Sequence, residues 1–257
     1  MSEPTAYIHP DAKIGENVTI SPFSYISEDV EIGDGTWIGP NVTIFNGARI
    51  GKNCQIFPGA VISAIPQDLK FEGEYTTTVI GDNTVIRECV TIHRGTKDKL
   101  KTVVGKNCLL MGYVHIAHDC IVGDNCIFAN YAALSGHCVV GDFAILEGMA
   151  AAPQFIHIGK HAFIGGGTIA RKNVPPYVKA AREPISYMGV NAVGLRRRGY
   201  SEEQINTIQD IYRILFQKGL NISQALEIIT KDFQDTEFRQ EIISFVKESD
   251  KGIINRG

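Results

Sequence analysis

Ile116-Ala117-His118-Asp119-Cys120-Ile121-Val122-Gly123-Asp124-Asn125-Cys126-Ile127-Phe128 passes twice through one six-residue pattern. A large apolar residue (Ile116, Val122, Phe128) opens each hexad, and a cysteine (Cys120, Cys126) follows four places later. Neither the 3.6-residue period of an amphipathic helix nor the two-residue period of a free strand repeats at six. The pattern therefore points to short strands wound into a coil of three hexads per turn. From this stretch the frame runs back to Ile8 and forward to Ile164. Of its 27 positions 24 are apolar, and the exceptions are Asp68, Glu74 and Asp98. The expected fold class is mainly β, a parallel β-helix. Each buried Ile row would contribute on the order of 1.5–3 kcal/mol per side chain.

The other slots agree. The place after the aliphatic is often glycine, as in Gly15, Gly33, Gly81, Gly105 and Gly123, which is expected to serve corners with unusual backbone angles. The fourth place after it is small or β-branched and holds five of the six cysteines (54, 108, 120, 126 and 138). These read as reduced core filler rather than disulfides or a metal cluster, which fits a cytoplasmic protein. The charges at 68, 74 and 98 do not belong inside, so residues 64–79 and 97–103 are expected to leave the coil as loops without breaking its frame. Loops ejected from a rigid scaffold commonly carry function.

After Ile169 the repeat fades, and Val174-Pro175-Pro176-Tyr177 closes it. Ser201-x-x-Gln204 is a capping box that opens a helix ending at Lys218-Gly219. A second helix is expected from Ser223 and a third near 236–247. The chain thus divides into a hexapeptide-repeat domain, 1–183, and a small C-terminal helical domain, 184–257.

Net charge is −3 over 257 residues, so no global field marks a nucleic-acid or membrane protein. There is no apolar run of transmembrane length, and the first residues lack the pattern of a secretory signal. Residues 171–198 stand apart, with seven cations against one acid, Glu183. They suit phosphates or an acidic partner. Without interleaved aromatics they do not suit nucleic acid.

The chemistry gathers around His118. With Asp119 beside it, this residue is a candidate general base on the outside of the coil. One turn of 18 residues places Gly136 above His118 and His137 above Asp119, about 4.8 Å away, and a second turn adds Gln154. Glycine at 136 is either a corner or an unobstructed amide facing an oxyanion. His93, His115, His118 and His137 also admit a zinc reading. His115 and His118 need not converge on a bent coil, and no metal or cofactor is expected.

The hexads, Ile92-His93-Arg94-Gly95, His115-Ile116-Ala117-His118-Asp119-Cys120, Gly136-His137 and Gln154-Phe155 resemble the UDP-N-acetylglucosamine O-acyltransferases of lipid A biosynthesis. So do Gln67-Asp68-Leu69-Lys70, Pro175-Pro176-Tyr177-Val178 and Gly189-Val190-Asn191. The resemblance spans essentially the whole chain. It implies a left-handed β-helix and a homotrimer with active sites between subunits. It implies transfer of a 3-hydroxyacyl chain from acyl carrier protein to the glucosamine 3-hydroxyl of UDP-N-acetylglucosamine. His118 would be the base, Asp119 its orienting partner and the Gly136 amide the oxyanion donor. Gln67, Asp68, Lys70, His93, His115, His137 and Gln154 would line the substrate cleft. Asn191, Arg197 and Arg198 would contact nucleotide or carrier, and Gly166 would stand where the family limits the acyl tail and, lacking a side chain, would let the groove continue. Val193 and Pro153 depart from the family pattern, where a glutamate and a histidine are common, and leave a 3-amino sugar nucleotide as an alternative acceptor. An N-acylating sibling would need a further N-terminal domain ahead of Ile8. A CoA-dependent hexapeptide acetyltransferase would share only the hexads, and a metal-dependent lyase would need histidines converging from several subunits.

Overall fold

The structure, a computed structural model, describes residues 5–217 and 219–256. Twenty-four short strands between Tyr7 and Ile164 stack into three parallel sheets, the faces of a triangular prism. The prism is a left-handed parallel β-helix. Partners in register are mostly 18 residues apart, as in Tyr7↔Tyr25 and His115↔Ala133. The two excursions lengthen single coils by multiples of six: Val61 pairs with Thr91 and Thr91 with His115. The frame therefore survives both, as expected. Their bounds are tighter than expected, because Thr77–Ile80 and Lys101–Val104 are already strands. The loops proper are 65–76 and 94–100.

The aliphatic row fills the axis. Ile26, Ile38, Ile44, Ile56, Ile62, Ile86, Ile92, Leu110 and Phe128 are fully buried. The inward cysteines do more than fill space. Cys108 and Cys126 donate their thiols to the Gly123 and Gly141 carbonyls of the next coil (3.2 and 3.3 Å), and Cys120 and Cys138 donate to the Ser135 and Pro153 carbonyls (both 3.1 Å). Corner carbonyls that face the dry interior are satisfied in this way.

The repeat glycines correct one expectation. Gly33 and Gly81 have ordinary backbone angles. They are small because a β-carbon would lie 2.7 Å from the Gly51 carbonyl carbon and 2.6 Å from that of Gly105, one coil on. The left-handed angles fall two places later, where Asn17, Asn53, Asn83, Asn107, Asp119, Asn125 and His137 sit. Asn and Asp tolerate that region best, yet Phe23, Tyr113, Tyr131, Phe143, Met149 and Phe155 adopt it in the same slot.

Strands Val178–Ala181 and Ser186–Val190 form an antiparallel hairpin that extends the third sheet, and Asn255–Arg256 returns to pair with it. The expected boundary at 183/184 falls in the turn of this hairpin. Helices follow at Ala192–Arg197 (α1), Glu202–Gln217 (α2), Ile222–Asp232 (α3) and Glu237–Glu248 (α4). The Ser201–Gln204 capping box is present. Lys218, half of the expected stop, lies outside the described residues, while Gly219 has the positive φ of a helix stop. α3 is capped by Asn221 and Gln224 rather than opened by Ser223, because the Asn221 side chain, two residues earlier, accepts the Gln224 N–H. The buried Tyr212 donates its hydroxyl to the Pro176 carbonyl at 2.5 Å, which ties α2 to the end of the prism. No helix among the described residues is long and apolar enough to cross a membrane.

Candidate active site

The corner after strand His115–Ile116 carries the site. His118 is 5 % exposed and Asp119 fully buried, so the histidine expected on the outside is enclosed. Asp119, at φ +59°, turns its carboxylate back under the ring, and His118 Nδ1 lies 2.8 Å from Oδ2. The Thr102 hydroxyl accepts the Asp119 amide at 2.8 Å and steadies that turn. Loop 94–100 closes over the carboxylate. Thr96 donates its amide to Oδ1 (2.9 Å) and its hydroxyl to Oδ2 (2.7 Å), and the Lys99 amide reaches Oδ1 at 3.3 Å. Burial works against the charge of Asp119, but the hydrogen bonds from Thr96 and His118 outweigh it and hold the carboxyl below the usual range. An ionised carboxylate only accepts, so Nδ1 carries the hydrogen and Nε2 keeps the free lone pair.

Gly136 stands one coil above His118. A β-carbon there would lie 2.5 Å from the imidazole Cε1 and 2.7 Å from Nε2. Its φ is not left-handed, so it serves close approach to the ring, not a corner. Its N–H donates to no group among the described residues, although its carbonyl accepts from Phe155. His137 stacks on Phe155 and meets His118 edge-on at 5.1 Å. Its Nδ1 is 3.2 Å from Asp98 Oδ2 without hydrogen-bond geometry.

Below lie His93 and His115, edge to face at 5.0 Å. Burial, with help from His115 and His118, pushes His93 down to about 4, and burial also lowers His115, whose Nδ1 lies 2.8 Å from the Thr91 hydroxyl. Asp68, Lys70, Glu74, Thr96, Lys97, Asp98, His137 and Phe155 line a cavity of about 260 Å³. Asp68 accepts from the Lys70 amide at 3.0 Å, and Gln67 is exposed beside them. Loop 65–76 is latched to loop 94–100: Glu74 accepts the Lys97 amide at 2.8 Å, and Arg94 lies over Phe71.

The fold thus brings together His118, Asp119, Gly136, His137, His93, His115, Asp68 and Lys70. Gln154 is exposed two coils above His118, where Lys251 reaches its carbonyl. Four expected residues lie elsewhere in the same chain. Gly166 sits on the third corner of the prism, above Gly148. Asn191 is buried at the C-terminal end, with its amide engaged to the His161 carbonyl (3.0 Å) and the Gly194 N–H (3.2 Å), so it caps α1. Arg197 is exposed on α1, and Arg198 at its end lies over Phe143. Thr96 was not legible in the sequence, since its partner is 23 residues away and off the repeat.

His118, Asp119 and His137 bring donor atoms within 4.8 Å of one another. The Asp119 oxygens are already covered by Thr96, Lys99 and His118. A carboxylate that anchors a loop and an imidazole is a poor open ligand for zinc.

A family described as UDP N-acetylglucosamine O-acyltransferase, domain 2, matches residues 173–254, and the bacterial transferase hexapeptide family matches 29–64 and 101–136. An acyl-[acyl-carrier-protein]–UDP-N-acetylglucosamine O-acyltransferase from Chlorobaculum parvum is 59% identical over 243 residues, which is 94% of this chain and 92% of that protein. The UDP-N-acetylglucosamine acyltransferase of Bacteroides fragilis superposes with a TM-score of 0.97 at 49% identity, covering 99% of this chain and all (100%) of that one. The Francisella novicida enzyme of the same name gives 0.95 at 38% identity, over 99% and 94% of the two chains.

Proposed function

The chain belongs to the UDP-N-acetylglucosamine O-acyltransferase family, and from that premise we propose how its residues carry the reaction. It transfers a 3-hydroxyacyl chain from acyl carrier protein to the glucosamine 3-hydroxyl of UDP-N-acetylglucosamine, the first step of lipid A biosynthesis. The observation that carries the mechanism is the His118–Asp119 pair at 2.8 Å with the unengaged Gly136 N–H beside the ring.

The sugar hydroxyl gives its proton to Nε2 of His118 as its oxygen attacks the thioester carbonyl carbon. Asp119 stabilises the imidazolium. The carbonyl oxygen becomes an oxyanion held by the Gly136 N–H. The C–S bond then breaks, and the carrier's thiolate leaves with the proton from His118. Asp68, Lys70, Gln67, His115, His93, His137 and Gln154 line the substrate cleft, and Arg197 and Arg198 contact nucleotide or carrier. Asn191 acts by fixing α1.

A homotrimer with the site between subunits is supported by the position of Gly166 and the basic end. Neither shares a corner with His118 in one chain. Tyr113, Tyr131 and Met149 form an exposed apolar column on the third corner, next to Gly112, Gly148 and Gly166, and offer a surface for a neighbouring copy. Residues 1–183 are the catalytic prism, and 184–257 form a second domain joined to it through the third sheet. The six free cysteines support a cytoplasmic location.

The test is an assay of purified protein with UDP-N-acetylglucosamine and either acyl carrier protein or CoA thioesters. Product should form from the carrier thioesters. Preference for acetyl-CoA would favour the CoA-dependent acetyltransferase reading. Activity abolished by a chelator and restored by zinc would favour the lyase-like site. Light scattering should give three times the 28.2 kDa of the chain.

A further inference from the structure

Asp119 Oδ2 is shared. The Thr96 hydroxyl donates to it at 2.7 Å and His118 Nδ1 at 2.8 Å, both inside the protein. The direction of each bond is fixed. The carboxylate cannot donate, and the Thr96 oxygen itself accepts the Asp98 amide at 3.3 Å, so its proton points at Asp119. Every hydrogen bond that Thr96 makes to this oxygen stabilises the negative charge locally and weakens its pull on an imidazolium. Without the hydroxyl, the same charge would favour protonated His118, and a protonated His118 cannot take the sugar proton.

We propose that Thr96 is a positioning residue of the reaction: its hydroxyl shares Asp119 Oδ2 with His118 and moderates the pull of that carboxylate on the base. The backbone of Thr96 anchors the loop through Oδ1, a separate task that any residue with a backbone N–H could perform. The hydroxyl is the part directed at the base. Other groups around the ring are His137 at its edge, His93 and His115 from the coil below, and Asp98 and Lys99 on the loop. Protonation of the three histidines would oppose charge on His118. Asp98, 63 % exposed and paired with His137, has little leverage on it. Asp119 is the dominant partner, which is why a change in its hydrogen bonding should be felt.

The inference rests on His118 as the base, and the test separates the two. In the full-length protein, Thr96→Val removes the hydroxyl and keeps the amide, while Thr96→Ser keeps both. Two readouts are taken: the acid limb of kcat/KM, and the titration of the His118 Cε1–H resonance by NMR, identified by its loss in His118→Gln. In Thr96→Val both midpoints should move up together by roughly 0.5–1 pH unit, the scale of one hydrogen bond to a carboxylate. Activity should then fall more at pH 6.5 than at pH 8.5. Thr96→Ser should restore both. Should the valine variant melt below assay temperature, Thr96→Ala removes the same hydroxyl without the added methyl and should show the same shift. An NMR midpoint that stays put or moves down in a folded variant would overturn the proposal and leave Thr96 as a loop anchor only. A moved NMR midpoint with an unmoved acid limb would remove His118 from the base role and with it Thr96 from the reaction, overturning the underlying reading rather than the hydrogen-bond coupling.

Discussion

Gly136 and His118 are packed as one unit: a β-carbon on the glycine would sit 2.5 Å from Cε1 of the imidazole. The ring cannot keep its place beneath any other residue. Gly136→Ala should therefore displace the base and cover the oxyanion donor at once. A shift of about 1 Å in a reacting group can cost 10²-fold, so kcat should fall by about that factor or more while the melting temperature changes little. Wild-type kcat in a folded Gly136→Ala protein would show that the glycine serves packing alone.

His118→Ala should lower turnover by about 10²- to 10⁴-fold, the usual contribution of a positioned base. The fold should survive, because Thr96 and Lys99 still cover the Asp119 carboxylate. Asp119→Asn is the harsher change for stability. Asp119 accepts from Thr96 twice, from Lys99 and from His118, and an amide nitrogen cannot accept on either side. An unsatisfied buried group costs about 1–3 kcal/mol, so loop 94–100 should loosen and limited proteolysis should cut there. Intact resistance to protease would count against this anchoring role.

How much of this is legible in the sequence depends on whether the period carries it. The hexads gave the coil, the core row, the frame-preserving loops and the His118/Gly136 and Asp119/His137 columns, since all follow from counting by six and eighteen. The glycines were recognised by position but for the wrong physical reason: close approach between coils leaves no trace in one sequence. Enclosure of His118 was missed because it depends on loop 94–100 folding back, an aperiodic event. Asn191 looked like a contact residue because its role as a cap on α1 requires knowing that a helix begins at Ala192.

Acid should loosen the protein between pH about 6.5 and 4. His93 and His161 are both held near 4 by burial, below the ordinary 6.5. In that window the unfolded chain binds more protons than the folded one, so stability is present above 6.5 and is lost as pH falls toward 4. Thermal unfolding should show a falling midpoint from pH 7 to 5. The slope should be shallower in His93→Gln, and an identical slope would remove His93 from the effect.

The Michaelis constant for acyl carrier protein should rise with salt more than that for UDP-N-acetylglucosamine. Among the described residues, exposed Lys172, Lys179, Arg182 and Arg197 make no ion pair, whereas Arg171 and Arg196 pair with Glu183 and Glu202. Exposed charges are screened over about 10 Å at 0.1 M salt. Double replacement of Lys172 and Arg182 by Gln should flatten the salt dependence. Equal salt effects on both substrates would assign the cluster to the nucleotide phosphates.

Gly166 sets the last expectation, on acyl chain length. It lies 48 residues after His118, which is two and two-thirds coils, or about 13 Å along the axis. It is exposed on the third corner, away from His118 of its own chain, and in the proposed trimer a neighbouring copy would bring it to the acyl groove. Its φ is not left-handed, unlike that of Gly167 at +67°, so a side chain is sterically allowed there. A β-carbon would approach the Gly148 carbonyl at 3.2 Å, which requires a shift of a few tenths of an ångström rather than refolding. Gly166→Met should therefore fold and place a plug in the groove. Each methylene denied burial forgoes about 0.8 kcal/mol, close to a fourfold loss of affinity per carbon. In competition between carrier thioesters of graded length, the variant should shift toward shorter donors and keep its turnover on them. An unchanged chain-length profile would mean that Gly166 plays no part in chain length and that the groove ends elsewhere.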